Sequence, residues 1–376
     1  MELQQIINEL NEDAYKNQFR GIDPYDFANS KIKLPNFLLS KVSFINKILP
    51  FSIRKFIGIG ESDNTKSNAL FLYAMVINNN KNDEEKIEYL KNWLIKNRSN
   101  EFEEYTLGFA FEMALSRYSS GPGKTSLFIT LIGVCAFIEL YKRTKDPVVL
   151  EQINSFKSLL DNKWLKIETE DTLFISYLPD HEDVVYNISA VTGKFYALYY
   201  ELFPLEVDKV KILKILGYLR SVQNADGSWA YSENAPYVDN FHTCFILEAI
   251  YYMHQVVSAE WSIKMFDLAL KDYEENCFDG AQPLHFHKNR KPKDVRSNII
   301  KTEIRDIANA IILFSLLGNI SKAQEVIGYS FKKYYDYSGK YFYFFHNWLY
   351  MSKLKFVRWQ AWMSLAFSTY LKNPKL

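Results

Sequence analysis

What most constrains this chain is a recurrence in its loops. Four times an apolar segment of helical spacing ends, a turn marked by Trp or Gly follows, then a short aromatic stretch, then a polar segment that opens the next apolar run. The copies run through Trp164 to Asn187, Gln223 to His242, Phe278 to Arg305 and Tyr337 to Trp359. Their polar junctions, at Asn187, His242, Arg305 and Trp359, follow one another at steps of 55, 63 and 54 residues. A step of that size holds a helical hairpin with its loops. Stacked hairpins form a line or a ring, and long loops at one phase of every hairpin favour the ring. The expected fold is all-α, an α/α toroid of about five or six hairpins, with the second helix of each lining the inside. The N-terminal ends of those inner helices, with unpaired N–H groups and partial positive charge, then face a shared cavity.

The apolar segments extend from NALFLYAMVINNN, starting at residue 68, to WQAWMSLAFSTYL, starting at residue 359. Strand-like alternation is confined to pieces such as TLFISYL and KYFYFF. IEYLKNWLIKN followed by EEYTLGFAFEMAL has the same rhythm with a shorter loop and reads as an earlier hairpin. With 48% apolar and 16% aromatic residues the chain can fill a large core. The 376 residues are therefore read as one toroid domain, with residues 1–65, which include GIDPYDFANSKIKLPNF, as an irregular segment packed on it.

Charge and motifs exclude several function classes. There are 45 basic and 44 acidic side chains, so no global field draws the chain to nucleic acid or an anionic membrane. Cys135, Cys244 and Cys277 lie far apart without metal-binding spacing and read as core thiols. The first residues lack the pattern of a signal peptide, and the apolar run 127–141 falls short of the ~20 residues of a membrane span. The expectation is a soluble cytoplasmic protein with no transmembrane segment. SSGPGKTS is no phosphate loop, because Tyr118 stands where the first Gly is required. GPGKTS reads as a turn and helix cap, with Lys124 toward the cavity.

The candidate site residues lie at the repeated junctions. In DNFHT, Asp239 has the place of a helix cap, which accounts for it without function. His242 is poorly explained that way, since a helix N-terminus disfavours a charged imidazole. A neutral His beside a carboxylate suits general acid/base catalysis, so Asp239 and His242 are the candidate catalytic pair, with Asn240 beside them as a ligand. In PDHEDVVYNISA, His181, Glu182 and Asp183 read as a solvated loop, and Tyr186 and Asn187 as substrate contacts. LHFHKNRKPKDVRSN carries His285 and His287, only two metal ligands. Its basic residues Lys288, Arg290, Lys291, Lys293 and Arg296 suit the edge of an anion site, Arg296 being the substrate contact among them. In KFVRWQAWM, Arg358 and Trp359 combine a cation with an aromatic face that stacks on sugar rings, while Trp362, three residues on, shares that helix face. Lys124 and Arg358 are the expected anion ligands. No metal and no cofactor is expected.

Two resemblances add to this reading. QNADGSW, residues 223–229, resembles the Gln-Trp repeat of the terpenoid cyclase and protein prenyltransferase toroids, although the aspartate clusters and zinc ligands of those enzymes are missing from the sequence. Over most of the chain, GIDPYD, GPGKTSLF, VVYNISA, YVDNFHTCFILEAI and VRWQAWMSLA are similar to a bacterial family associated with exopolysaccharide and capsule biosynthesis genes. That resemblance implies an α/α toroid acting on sugar and supplies no catalytic residues. The expected function is acid/base chemistry of lyase, hydrolase or epimerase type on a sugar or uronic-acid-containing substrate in glycan biosynthesis. Cytoplasmic placement points to a nucleotide-linked or lipid-linked sugar, with other glycan-biosynthesis proteins as partners. A glycan-binding assembly subunit and an isoprenoid-binding toroid are the alternatives.

Overall fold

The computed structural model describes residues 2–32, 36–49, 52–114, 119–180, 182–346 and 351–373. In chain order its helices are α1 (Leu3–Lys16), α2 (Asn36–Ile48), α3 (Thr65–Asn78), α4 (Glu84–Lys96), α5 (Leu127–Thr144), α6 (Pro147–Asn162), α7 (Tyr186–Leu202), α8 (Glu206–Ser221), α9 (Asn240–His254), α10 (Glu260–Asn276), α11 (Val295–Ile299), α12 (Ile304–Leu316), α13 (Ile320–Tyr334) and α14 (Val357–Leu371). Packing runs α3 to α5, α7, α9, α12, α14 and back to α3, which closes an inner ring. Outside it, α4, α6, α8, α10 and α13 each pack on the inner helix before them, and α1 packs on α14. The result is the all-α toroid expected, with six hairpins.

The two layers differ in sequence because they differ in solvent. Inner helices are enclosed by neighbours and are apolar nearly all round: α14 buries every residue from Val357 to Tyr370. Outer helices need one dry face. α1 buries Ile6, Ile7, Leu10, Asn11 and Ala14 and leaves acids and amides outside. Short antiparallel pairs follow three of the outer helices, Lys166–Glu168 with Leu173–Ile175, Phe278–Asp279 with Gln282–Pro283, and Tyr335–Asp336 with Tyr341–Phe342. These are the aromatic stretches of the repeat.

The QNADGSW turn is scaffold. Gln223 donates to the carbonyls of Gly227 and Met265 (2.8 and 3.0 Å), and the Trp229 indole donates to Leu219 (2.8 Å). Trp164 makes the equivalent bond to Ser176 (2.9 Å).

Two expectations need correction. Residues 1–65 are not uniformly irregular, since α1 and α2 are helices and α1 supplies the outer layer of the sixth hairpin. EEYTLGFAFEMAL is not a helix. The Tyr105 N–H donates to Ser155, the Leu107 N–H to Thr130, and the Leu107 carbonyl accepts from Ser126, so tertiary partners take the backbone groups that a helix would use. Met113–Ala114 then pairs with Ser119–Ser120 as a short strand, and α4 packs instead on α3, the inner helix before it.

Candidate functional site

Polar caps open the inner helices at one end of the ring. Asn64 accepts from the Ser67 N–H, Ser126 from Ile129, and Asp239 from His242 (2.8 Å), while Asp306 accepts from the Glu303 N–H (2.8 Å). This end therefore concentrates polar residues for a structural reason first, and the chemistry is built on them.

At α9 the Asp239 carboxylate does more than cap. Both of its oxygens lie 2.7–2.8 Å from His242 Nδ1. The bond fixes the ring and leaves Nε2 without a hydrogen bond among the described residues, on a side chain 24% exposed. Tyr231 meets the imidazole edge-on at 4.7 Å and stacks on Tyr237, and Phe241 and Phe245 close the other sides. Burial would raise the Asp239 pKa, but His242, then His285 and the capping N–H, outweigh it and hold the carboxyl at about 2. It stays a carboxylate across the working range of enzymes. An ionised Asp on Nδ1 with Nε2 open is the arrangement that prepares a histidine to take and return a proton.

Beside this pair lie three cations and a set of rings. Arg358 sits 2.7 Å from Asp23, on the N-terminal segment, and Arg305 sits 2.6 Å from Glu303. Lys66, on α3, is buried with its ammonium 4.4 Å from the centre of the Phe128 ring and also over Phe241 and Trp362. Trp359 stacks on Phe344 at 5.9 Å with Arg305 and Arg358 over its face. Among the described residues the buried indole N–H groups of Trp359 and Trp362 make no hydrogen bond, and both rings belong to the cation cluster. Deeper in the ring, a cavity of about 30 Å³ beneath Phe128, Phe245 and Trp362 holds the Lys194–Glu248 ion pair (2.6 Å) on its wall. It has room for water and none for a sugar ring.

The remaining expected residues divide. Asn187 is buried at the start of α7 with an unpartnered Oδ1. Tyr186 turns outward against Tyr218 of α8. Asn240 is corrected: its amide donates to Cys277 and accepts from Tyr273 on α10, so it ties inner helix to outer. Lys124 is corrected too, being 65% exposed and paired with Glu101 at 3.1 Å. The side chain of Arg296, on α11, and all of His181 lie outside the described residues. Of the expected basic edge, Arg290 pairs with Asp226 and Lys288 with the Glu275 carbonyl. His285 bonds Asp306 (2.8 Å) and His287 bonds Asp272 (3.2 Å), so the two imidazoles serve different helices. Burial opposes a charge on His285, but Asp306 and Glu303 hold its pKa above the ordinary value.

Lys66, Arg305, Glu303 and Asp23 were not selected from sequence. Arg305 stands at the same repeat phase as His242, and that was the available signal. Lys66 begins an inner helix whose junction lay beyond the four aligned copies.

A closed ring of helical hairpins with polar caps at one mouth defines the chain as an α/α toroid. No protein-family model matches the sequence, and no curated protein matches it. Solved structures match its fold. A sugar epimerase from a ruminal bacterium superposes with a TM-score of 0.62 over 98% of this chain and 99% of its own, at 13% identity. A cellobiose 2-epimerase from Bacillus thermoamylovorans gives 0.61 over 81% and 87%, at 12% identity. A glycosyl hydrolase of family 88 from Bacteroides vulgatus gives 0.56 over 89% and 99%, at 10% identity.

Proposed function

We propose that this protein is a carbohydrate-active enzyme that performs acid/base chemistry on a sugar bound at the toroid mouth. His242 moves the proton through Nε2, and Asp239 orients the ring and stabilises its charged form. The observation that carries this is the side-chain bond from Asp239 to Nδ1. A purely structural cap bonds backbone alone, as a glycan-binding assembly subunit would require, and here the imidazole is held as well. An isoprenoid reading calls for an apolar cavity with a carboxylate cluster, whereas Lys66, Arg305 and Arg358 mark this mouth as cationic. The epimerases and hydrolase that share the fold support a sugar or oligosaccharide substrate. The resemblance to a glycan-biosynthesis family favours a lipid-linked or nucleotide-linked sugar as its source.

Proton NMR in D₂O tests the reading on a panel of neutral and uronic-acid disaccharides. Epimerisation replaces a C–H by C–D, elimination yields a vinyl signal, and hydrolysis yields new reducing ends. One of these signatures is expected, and His242→Gln is expected to slow it by about 100-fold or more without a large change in melting temperature. Equal rates in the variant, or no chemistry with any saccharide, would sink the proposal.

A further inference from the structure

At the mouth of the ring, acids and bases are matched with one exception. Asp239 faces His242, Asp306 faces His285, Glu303 faces Arg305, Asp23 faces Arg358, and Asp26 faces Arg54. Lys66 makes no hydrogen bond and no ion pair among the described residues, although only 8% of it is exposed. An ammonium buried in this way is costly unless something pairs with it.

Its surroundings say what the partner is. Lys66 and Arg305 lie over the same ring, Phe241, at 5.7 and 4.7 Å from its centre, and Arg305 and Arg358 share Trp359 at 5.6 and 5.9 Å. Three cations thus share one set of aromatic rings, with the carboxylates of Glu303 and Asp23 beside the two arginines and none beside Lys66. Among the described residues, the buried indole N–H groups of Trp359 and Trp362 beside these cations also make no hydrogen bond. A ligand that fits offers acceptor oxygens, a negative charge and apolar ring faces, and a carboxylate on a pyranose has all three.

We propose that Lys66, with Arg305 and Arg358, forms a subsite for the carboxylate of a uronic acid, so that the enzyme acts on an acidic sugar. This rests on the sugar chemistry proposed for His242 and names its substrate class. Burial and the charges of Arg358 and Arg305 push the Lys66 pKa well below that of an ordinary lysine, against a smaller pull from Asp23. A bound carboxylate opposes that effect by favouring the charged ammonium.

Titration calorimetry with glucuronate, galacturonate and mannuronate, their neutral parent hexoses and glucose 6-phosphate tests the subsite on wild type and Lys66→Met. The expected result is that a uronate binds at least about tenfold tighter than its neutral parent and that Lys66→Met removes the gap. The unliganded variant should melt no lower, because a buried amine without a partner is replaced by a thioether. Should the variant not fold, wild type alone decides, since a uronate must then bind tighter than both its methyl ester and its neutral hexose. A uronate no tighter than its hexose, tighter binding of glucose 6-phosphate, or a gap that survives Lys66→Met overturns the subsite. If neutral sugars still bind in those cases and lose affinity in His242→Gln, the sugar reading stands alone; if wild type binds no sugar, that reading falls as well.

Discussion

At the scale of the residue, Asp239 shows why a cap and a catalytic group are hard to separate by eye. The same carboxylate accepts the His242 N–H and the His242 ring, and Asp suits either duty. Its pH dependence separates them. A carboxyl held at about 2 when folded and near 4 when unfolded contributes about 2 kcal/mol, fully present above pH 4 and lost as the pH falls toward 2. Asp239→Asn keeps a capping side chain but is expected to remove that contribution, so urea unfolding at pH 7 should show a loss of about 2 kcal/mol and a shallower decline between pH 4 and 2. The neighbours of Asp239 were legible only in part. Successive residues on a helix point about 100° apart, which turns Asn240 toward Tyr273 on the outer layer, Phe241 inward to Lys66, and His242 to the mouth.

At the scale of the element, the repeat was readable because its turns have strict requirements. Gly227 adopts a φ of +97°, and a Cβ there would lie 2.7–2.8 Å from the Leu268 backbone on α10. Gly227→Ala is therefore expected to destabilise by about 2 kcal/mol or more while leaving sugar affinity unchanged, as chemical denaturation and calorimetry together would show. EEYTLGFAFEMAL misled for the opposite reason. Its spacing is helical, but Ser155, Thr130 and Ser126 compete for its backbone. Nothing local in the sequence announces that competition. Helix α6 carries the opposite, local kind of signal: Asp146 caps it, Pro147 begins it, and Val149, Ile153, Phe156 and Leu160 form its dry face.

For the whole molecule, the decisive event is closure. Helix α1 completes the hairpin of α14, and Asn11, fully buried, joins them by accepting from Ser364 (2.7 Å) and donating to Asp83 (3.2 Å) at the foot of α4. Lys340 to Glu9 and Lys355 to Asp13 add surface pairs at the same seam. Asn11→Ala strands two buried polar groups and is expected to cost about 2–3 kcal/mol. Because a ring has no free end from which to fray, scanning calorimetry should show one transition for wild type and variant alike, where an open solenoid would melt in steps.

The sequence by itself determined the all-α class, the hairpin repeat and its turns, and the junction DNFHT, because periodicity, turn stereochemistry and capping are local properties of the chain. Only the tertiary structure decided which polar junction residues face the mouth and which serve the seam between layers. It alone set Lys66 among Phe128, Phe241 and Trp362. Those four residues come from four helices, and whether their side chains meet depends on the rotation and closure of the ring, which no short stretch of sequence encodes.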